Sequence, residues 1–491
     1  NKCPVHPHID HRQRMPIQPI QATLELLSRD SRLGHSSSDT VAYLMDLLYY
    51  GEFQIFEQVS SGAGLERVNL LGTKGQHPSD DGLWLVSTFN TGAQPHPAHW
   101  ASTDGTPMTG RRRDAAGMVY GLGANSGKID MVLKILAASR FRLEELRRPI
   151  HVAALSGEEA LGTGIHALLD SGPTVGGAVL VGAPTNLEIW TDHPGCIVLK
   201  LTLDRKLRHR RMPPCRGFFE LHVPGSSAHA QLPAIGTDAL ARGLEVVEQL
   251  RKDGDVRLLG FDAGEAPNRV AGQCRIQIAT VEEDLPRLDG DIQTSQIADG
   301  TALPFPIDAL FSAWFAARDA GIEAIGDRLG HTRNVVAARP KQPWWTGKIQ
   351  TDRNAVSGTV MLWTGPGVDA RDICERFAHA AQTALIGEEE LSVSIQVSQD
   401  RPAFAGGEGN DRLLSIASDA LTAAGIPPVH SGGIHTSDAG ILRARGIETL
   451  VFGPGRGLGD LYRDDEAIPL QHLEAAYRFY EQVIKRWCVD E

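Results

Sequence analysis

The sequence is poor in the residues that staple small secreted domains and in the runs that cross membranes. Its 491 residues hold six cysteines, at 3, 196, 215, 274, 374 and 488, with no paired spacing. That excludes a disulfide framework and predicts reduced thiols in a cytoplasmic protein. No apolar run approaches the roughly 20 residues that a bilayer span needs. Asn1 to His8 carry neither an initiator Met nor a signal-peptide pattern. Cys3, His6, His8 and His11 lack a second ligand pair at finger spacing, which favours a proline-broken arm over a metal site. Positive charge is also scarce. A net charge of −12 argues against nucleic acid or a membrane as partner, and the basic clusters at 111–113 and 205–211 are short.

What is present is ordinary for a soluble globular protein: 42% hydrophobic and 22% charged residues, at a length that predicts two or three domains. Apolar residues at helical spacing (Ile20, Leu24, Leu27; then Val41, Leu44, Leu48) predict two helices within 19–50. Residues 82–91 read as a core strand. Tyr120-Gly121-Leu122-Gly123 precedes an amphipathic helix with Met131, Val132, Ile135 and Leu136 on one side. The glycine-rich turn is no dinucleotide loop, because Ser126 stands where the third glycine is required. Ile150 to Leu155 predicts a strand that delivers Glu158 and Glu159 to its C-terminal end, where open α/β sheets bind ligands. Two carboxylates there suit a general base beside a metal ligand. On this segment alone a solvated acidic turn before a helix is the reading to be preferred.

Strand and helix alternate to about residue 193. From there the pattern becomes α+β, with strands at 196–203, 218–223, 274–280, 359–363 and 391–397 and helices near 236–251 and 369–385. Residues 281–356 read as an irregular elaboration, helical only over 308–317. From Asp411 the α/β pattern returns.

Several short motifs then occur in order: Trp100, Tyr120-Gly121-x-Gly123, Glu158-Glu159, Pro184-Thr185, Ala228-His229, Asn268, Ser437-Asp438-Ala439 and Gly453-Pro454-Gly455. With these the chain resembles, over nearly its whole length, the two-zinc exopeptidases and amidohydrolases. That family includes acetylornithine deacetylase, succinyl-diaminopimelate desuccinylase, aminoacylase and glutamate carboxypeptidase. The resemblance implies an α/β fold: a three-layer α/β/α catalytic domain of residues 1–193 and 401–491, with an inserted α+β lid and dimerisation domain of residues 194–400, and hence a homodimer. It implies Glu158 as general base and His229 as the lid histidine that stabilises the oxyanion, often across a dimer.

At the ligand positions the sequence departs from the family. Thr88 and Asn90 replace the His-x-Asp, Ser126 the bridging aspartate, Ala183 the acid before Pro184, and Tyr462 the final histidine four residues before Glu466. Only Glu159 keeps its type. Zinc needs three or four N, O or S ligands, so the expectation is no metal and no other cofactor. His96, His99, His193 and His435 are the nearby groups from which a site could be rebuilt. Without zinc, Glu158 and Glu159 are expected to share one proton, offset by Lys128 if it points inward. The leading expectation is a metal-independent enzyme of acyl or amide-bond chemistry (transfer, cyclisation, condensation or hydrolysis). Its substrate is a small acylated amino acid or peptide-like molecule. Glu158, Glu159 and His229 carry the chemistry, and Asn268, Ser437, Asp438, Gly453, Asn90, Ser126 and Tyr462 touch the substrate. Ser437 and Asp438 also suit a helix N-cap. The alternatives are a non-catalytic pseudo-hydrolase that binds an amino-acid-like ligand or a partner, and a zinc hydrolase with relocated ligands.

Overall fold

A computed structural model describes residues 18–32, 35–62, 65–75, 81–91, 100–157, 162–206, 215–283, 285, 288, 290–297, 306–330, 343–352, 354–388, 390–405, 411–433, 435–457 and 465–490. Helices α1 (Pro19–Leu27) and α2 (Ser38–Tyr50) lead into strands β1 (Gln54–Gly62), β2 (Leu65–Lys74) and β3 (Leu83–Thr88). The short β4 (Arg111–Arg113) and β5 (Met118–Tyr120) precede α3 (Gly127–Ala138), β6 (Ile150–Leu155), α4 (Thr163–Ser171), β7 (Ala178–Gly182) and β8 (Ile189–Asp192). Longer strands follow: β9 (Gly195–Arg205), β10 (Gly217–Pro224), then α5 (Ala239–Asp253), β11 (Val256–Ala263), β12 (Gln273–Thr280) and β13 (Gln293–Gln296). Next come α6 (Asp308–Ile325), β14 (Trp344–Asp352), β15 (Ala355–Thr364), α7 (Ala370–Ala384) and β16 (Leu391–Arg401). The chain returns through α8 (Asp411–Ala423), β17 (His430–Gly432), α9 (Ala439–Ala444), β18 (Glu448–Phe452), β19 (Ala467–Pro469) and α10 (Leu470–Ile484).

The strands form two large sheets. The first, in the order β1-β2-β6-β3-β7-β18-β8-β17, is parallel through its centre from β6 to β18. Every residue of β3 is buried, because helices cover both faces. Leu83 and Leu85 pack with α1, α2, α3, α8 and α10, while Trp84 and Val86 pack with α4 and α9. The second sheet, β13-β10-β12-β11-β14-β15-β9-β16, is antiparallel. Leu199, Leu201 and Leu203 of β9 face α6 and α7 in its core. On its other face Cys196, Val198, Met361 and Trp363 form a small apolar patch. This is the α/β class with two layered units that the sequence implies. Among the described residues no helix is long and apolar enough to cross a membrane.

Three elements differ from expectation. Helix α3 is buried on every side from Lys128 to Ala138, so it has no solvated face. Its charges point into the protein: Asp130 accepts from Ser87 Oγ at 2.5 Å and from the Tyr480 hydroxyl, and faces Lys134 Nζ at 2.7 Å. Lys134 Nζ in turn donates to the carbonyls of Val86 and Leu180. Helix α6 runs eight residues past Ala317, because Phe311, Trp314, Gly321 and Ile325 keep one face buried. Trp314 Nε1 donates to Leu201 O at 3.0 Å. Strand β14 is an interior strand of the second sheet, so the stretch read as an elaboration supplies part of that core. The β1–β2 hairpin escapes a pattern reading because Phe56 and Val59 are both exposed, and no buried face alternates with a polar one.

Removal of the Asp130 carboxylate would leave the Lys134 ammonium buried without its counter-charge. Asp130→Ala is expected to lower stability by about 3–5 kcal/mol in chemical denaturation, and adding Lys134→Met should recover part of that loss.

Candidate functional site

An opening at the strand ends lies between the two sheets. Its floor is Asn90 and Thr91 after β3, Gly182 to Pro184 after β7, and Gly123, Ser126 and Gly127 at the start of α3. The second sheet and its loops supply His229, Gln231, Asn268, Met361, Trp363 and Arg401, while His435 and Glu466 close the sides. A cleft outside the carboxyl ends of parallel strands is where this architecture binds ligands.

Among the sequence-derived candidates, Asn90, Ser126, His229 and Asn268 come together here. Glu158, Glu159, Tyr462, His96 and His99 lie outside the described residues. Ser437, Asp438 and Gly453 sit behind the wall. The Ser437 hydroxyl accepts from Ala439 N and meets His193 Nε2 at 2.9 Å. Asp438 is buried against Arg401, with Oδ1 3.3 Å from Nη1. Gly453 packs against the Ala183 carbonyl, which a Cβ on Gly453 would approach to 2.4 Å. Lys128 points inward but toward Arg29, whose carbonyl it meets at 2.7 Å, and burial lowers its pKa to about 7.

Among the described residues, the side chains at the family's ligand positions do not supply a zinc pair. Asn90 spends its amide on the backbone, donating to Ser31 O at 3.1 Å and accepting from Gly157 N at 2.5 Å. Ser126 caps α3: its hydroxyl donates to Gly123 O at 2.8 Å and accepts from Lys128 N at 3.3 Å. Ala183 offers no donor atom. His193 is saturated, with Nδ1 2.9 Å from Pro194 O and Nε2 toward Ser437, and His435 Nδ1 lies 3.2 Å from Thr436 O. Among the described residues, no three His, Cys, Asp or Glu side chains come together as a metal site. Glu466, the family's marker near the last helix, takes a hydrogen bond from Gly123 N at 2.5 Å.

His229 is placed by its turn. Ala230 N donates to Asn268 O, Val270 N donates to Ala228 O, and Gln231 N donates to His229 Nδ1 at 3.2 Å. That bond makes Nδ1 the acceptor and leaves the proton on Nε2. Burial depresses the pKa of His229 to about 3, with His435 and Arg269 adding to the effect, so the ring is neutral near pH 7. Its ring centre lies 6.4 Å from that of His435, which lines the same cleft. Arg401 and Gln231 are among the lining residues that escaped the sequence reading. Arg401 is a lone arginine at a strand end, and Gln231 is a lone glutamine in a loop; neither carries a periodic or motif signal.

Burial also holds His193 at about 3. In the unfolded chain both imidazoles bind a proton near 6.5. Between those values the unfolded chain binds more protons, so stability falls as pH drops from 6.5 toward 3. The expected slope is about 1.4 kcal/mol per pH unit for each ring. His193→Asn should remove one ring's share of that slope, as read by denaturation at stepped pH.

Residues 93–486 match the family described as Peptidase family M20/M25/M40. Among solved structures, the fold is similar to aminoacylhistidine dipeptidase from Vibrio alginolyticus (16% identity, TM-score 0.52, 98% of each chain). It is similar to human carnosine dipeptidase 1 (12%, 0.55, 96% of each chain) and to the dipeptidase Dug1p from Saccharomyces cerevisiae (12%, 0.55, 96% and 95%). No curated protein sequence matches the chain. The family match spans most of the chain, so the chain belongs to Peptidase family M20/M25/M40 and is a hydrolase of that peptidase and amidohydrolase class.

Proposed function

We propose that this chain acts on an acyl or amide bond of a small acylated amino acid or peptide-like substrate, and that it does so without zinc. The observation that carries the reading is a contrast within one cleft. Asn90 and Ser126 have turned their oxygens to the backbone, while His229, neutral and with its proton on Nε2, lines the cavity. Glu158 takes a proton from the attacking group and passes it to the leaving nitrogen, with Glu159 as its partner. His229 Nε2–H donates to the oxygen that becomes negative as the carbonyl carbon turns tetrahedral. Asn268 and Arg401 hold the polar end of the substrate, with Asn90, Ser126 and Tyr462 against its other side. Asp438, Ser437 and Gly453 act as positioning groups, since Asp438 orients Arg401 and Ser437 orients the loop through His193.

A catalytic domain of residues 1–193 and 401–491 with a lid of 194–400 is supported by the two sheets, whose strands divide close to those boundaries. A cytoplasmic homodimer belongs to the same reading.

Elemental analysis of the purified full chain is expected to find far less than one zinc per chain; near two per chain would restore the relocated-ligand alternative. Glu158→Gln should lower turnover of a susceptible acyl or amide substrate by about 10²–10⁴, and His229→Ala by about 10²–10³, with ligand affinity nearly unchanged. Full activity in both variants would remove these residues from the chemistry. Tight ligand binding by a wild-type protein that turns over no substrate would favour the pseudo-hydrolase.

A further inference from the structure

Gln231 lines the cleft on its lid side and is only 6% exposed, yet among the described residues its Oε1 has no hydrogen-bond partner. Its backbone has a task in the fold, donating to His229 Nδ1. The turn around it is closed by backbone bonds from Ala230 N to Asn268 O and from Leu232 N to His229 O. The carboxamide takes no part in any of these. A buried amide oxygen without a donor is costly and rare in a folded protein, so this one is best explained by a ligand that supplies the donor.

The surroundings define the ligand group. The lid side of the cleft also carries Cys196, Met361, Trp363, Pro267 and Asn268, none of them charged, with Arg401 at its end. Burial keeps His229 neutral, and Arg401 faces Asp438. An ammonium placed here would meet no carboxylate from this wall. A planar carboxamide offers an acceptor and a donor side by side, and the neutral group that complements both is another amide. We infer that Gln231 is a specificity-determining residue that reads a second, uncleaved amide of the substrate. The preferred substrate is therefore one whose amino end is already acylated, rather than a free-amino dipeptide. This rests on the peptide-cleft reading proposed above.

The test is calorimetric binding to the full chain of two matched, non-cleavable dipeptide isosteres, one N-acetylated and one with a free amino terminus. Wild type is expected to bind the acetylated ligand about tenfold or more tightly, the scale of one well-placed hydrogen bond. Gln231→Leu should bring the two affinities within a few-fold while the melting temperature stays level or rises. Gln231→Glu should reverse the preference toward the free amine. An unchanged ratio in Gln231→Leu, or equal affinities in wild type, would overturn this inference alone. A melting temperature several degrees lower in Gln231→Leu would assign the side chain to the fold and overturn it as well. A wild-type protein that binds neither isostere would overturn the peptide-cleft reading and this inference together.

Discussion

The buried Asp130 carboxylate is the knot to which the first sheet, its inner helix and the floor of the cleft are tied. With Lys134, Ser87 and Tyr480 it joins α3 to β3 and α10, and through the lysine to the carbonyls of β3 and β7. Burial lowers the Lys134 pKa even with the carboxylate beside it, which marks how strongly the core resists the charge. The geometry leaves no slack at the strand ends. A Cβ on Gly182 would come within 2.0 Å of Asp130 Oδ2, and one on Gly127 within 2.6 Å of Thr88 O. Close approach of this kind sets where Ser126 and Asn90 stand on the floor.

Above that floor, most of the described polar groups are already committed. Asn90 and Ser126 serve the backbone, His193 is held between Pro194 and Ser437, and Arg401 is matched to Asp438. In the proposed reading the cleft acts through oriented neutral donors and a proton shuttle rather than through concentrated positive charge. Oriented donors are effective because they need no reorganisation as charge develops. Such a site suits a substrate whose acyl group is small and well positioned, since placement then supplies much of the rate.

The sequence was most readable where burial is uniform or strictly periodic. The strands at 83–88, 150–155, 178–182 and 448–452 show as short apolar runs because helices cover both faces of their sheet. The same reasoning misjudged α3, whose Asp130 and Lys134 resemble a solvated stripe but satisfy one another inside the protein. It also missed the β1–β2 hairpin, with exposed Phe56 and Val59, and β14, whose polar alternation gave no sign of an interior position. Of the site, His229 and Asn268 were legible through their motifs. Gln231 and Arg401 were not, because a single polar residue gains meaning only from what surrounds it in space.

The order of motifs along the chain, the family they resemble and the missing metal-ligand types at Asn90, Ser126 and Ala183 are properties of the sequence alone, since residue identity and spacing suffice for them. Tertiary structure decided which nitrogen of His229 carries the proton, that Asp438 answers Arg401, and that Gln231, beside the cleft, keeps a buried oxygen without a partner among the described residues. These depend on contacts between segments distant in the chain and on the removal of water from them, and neither is written in local sequence.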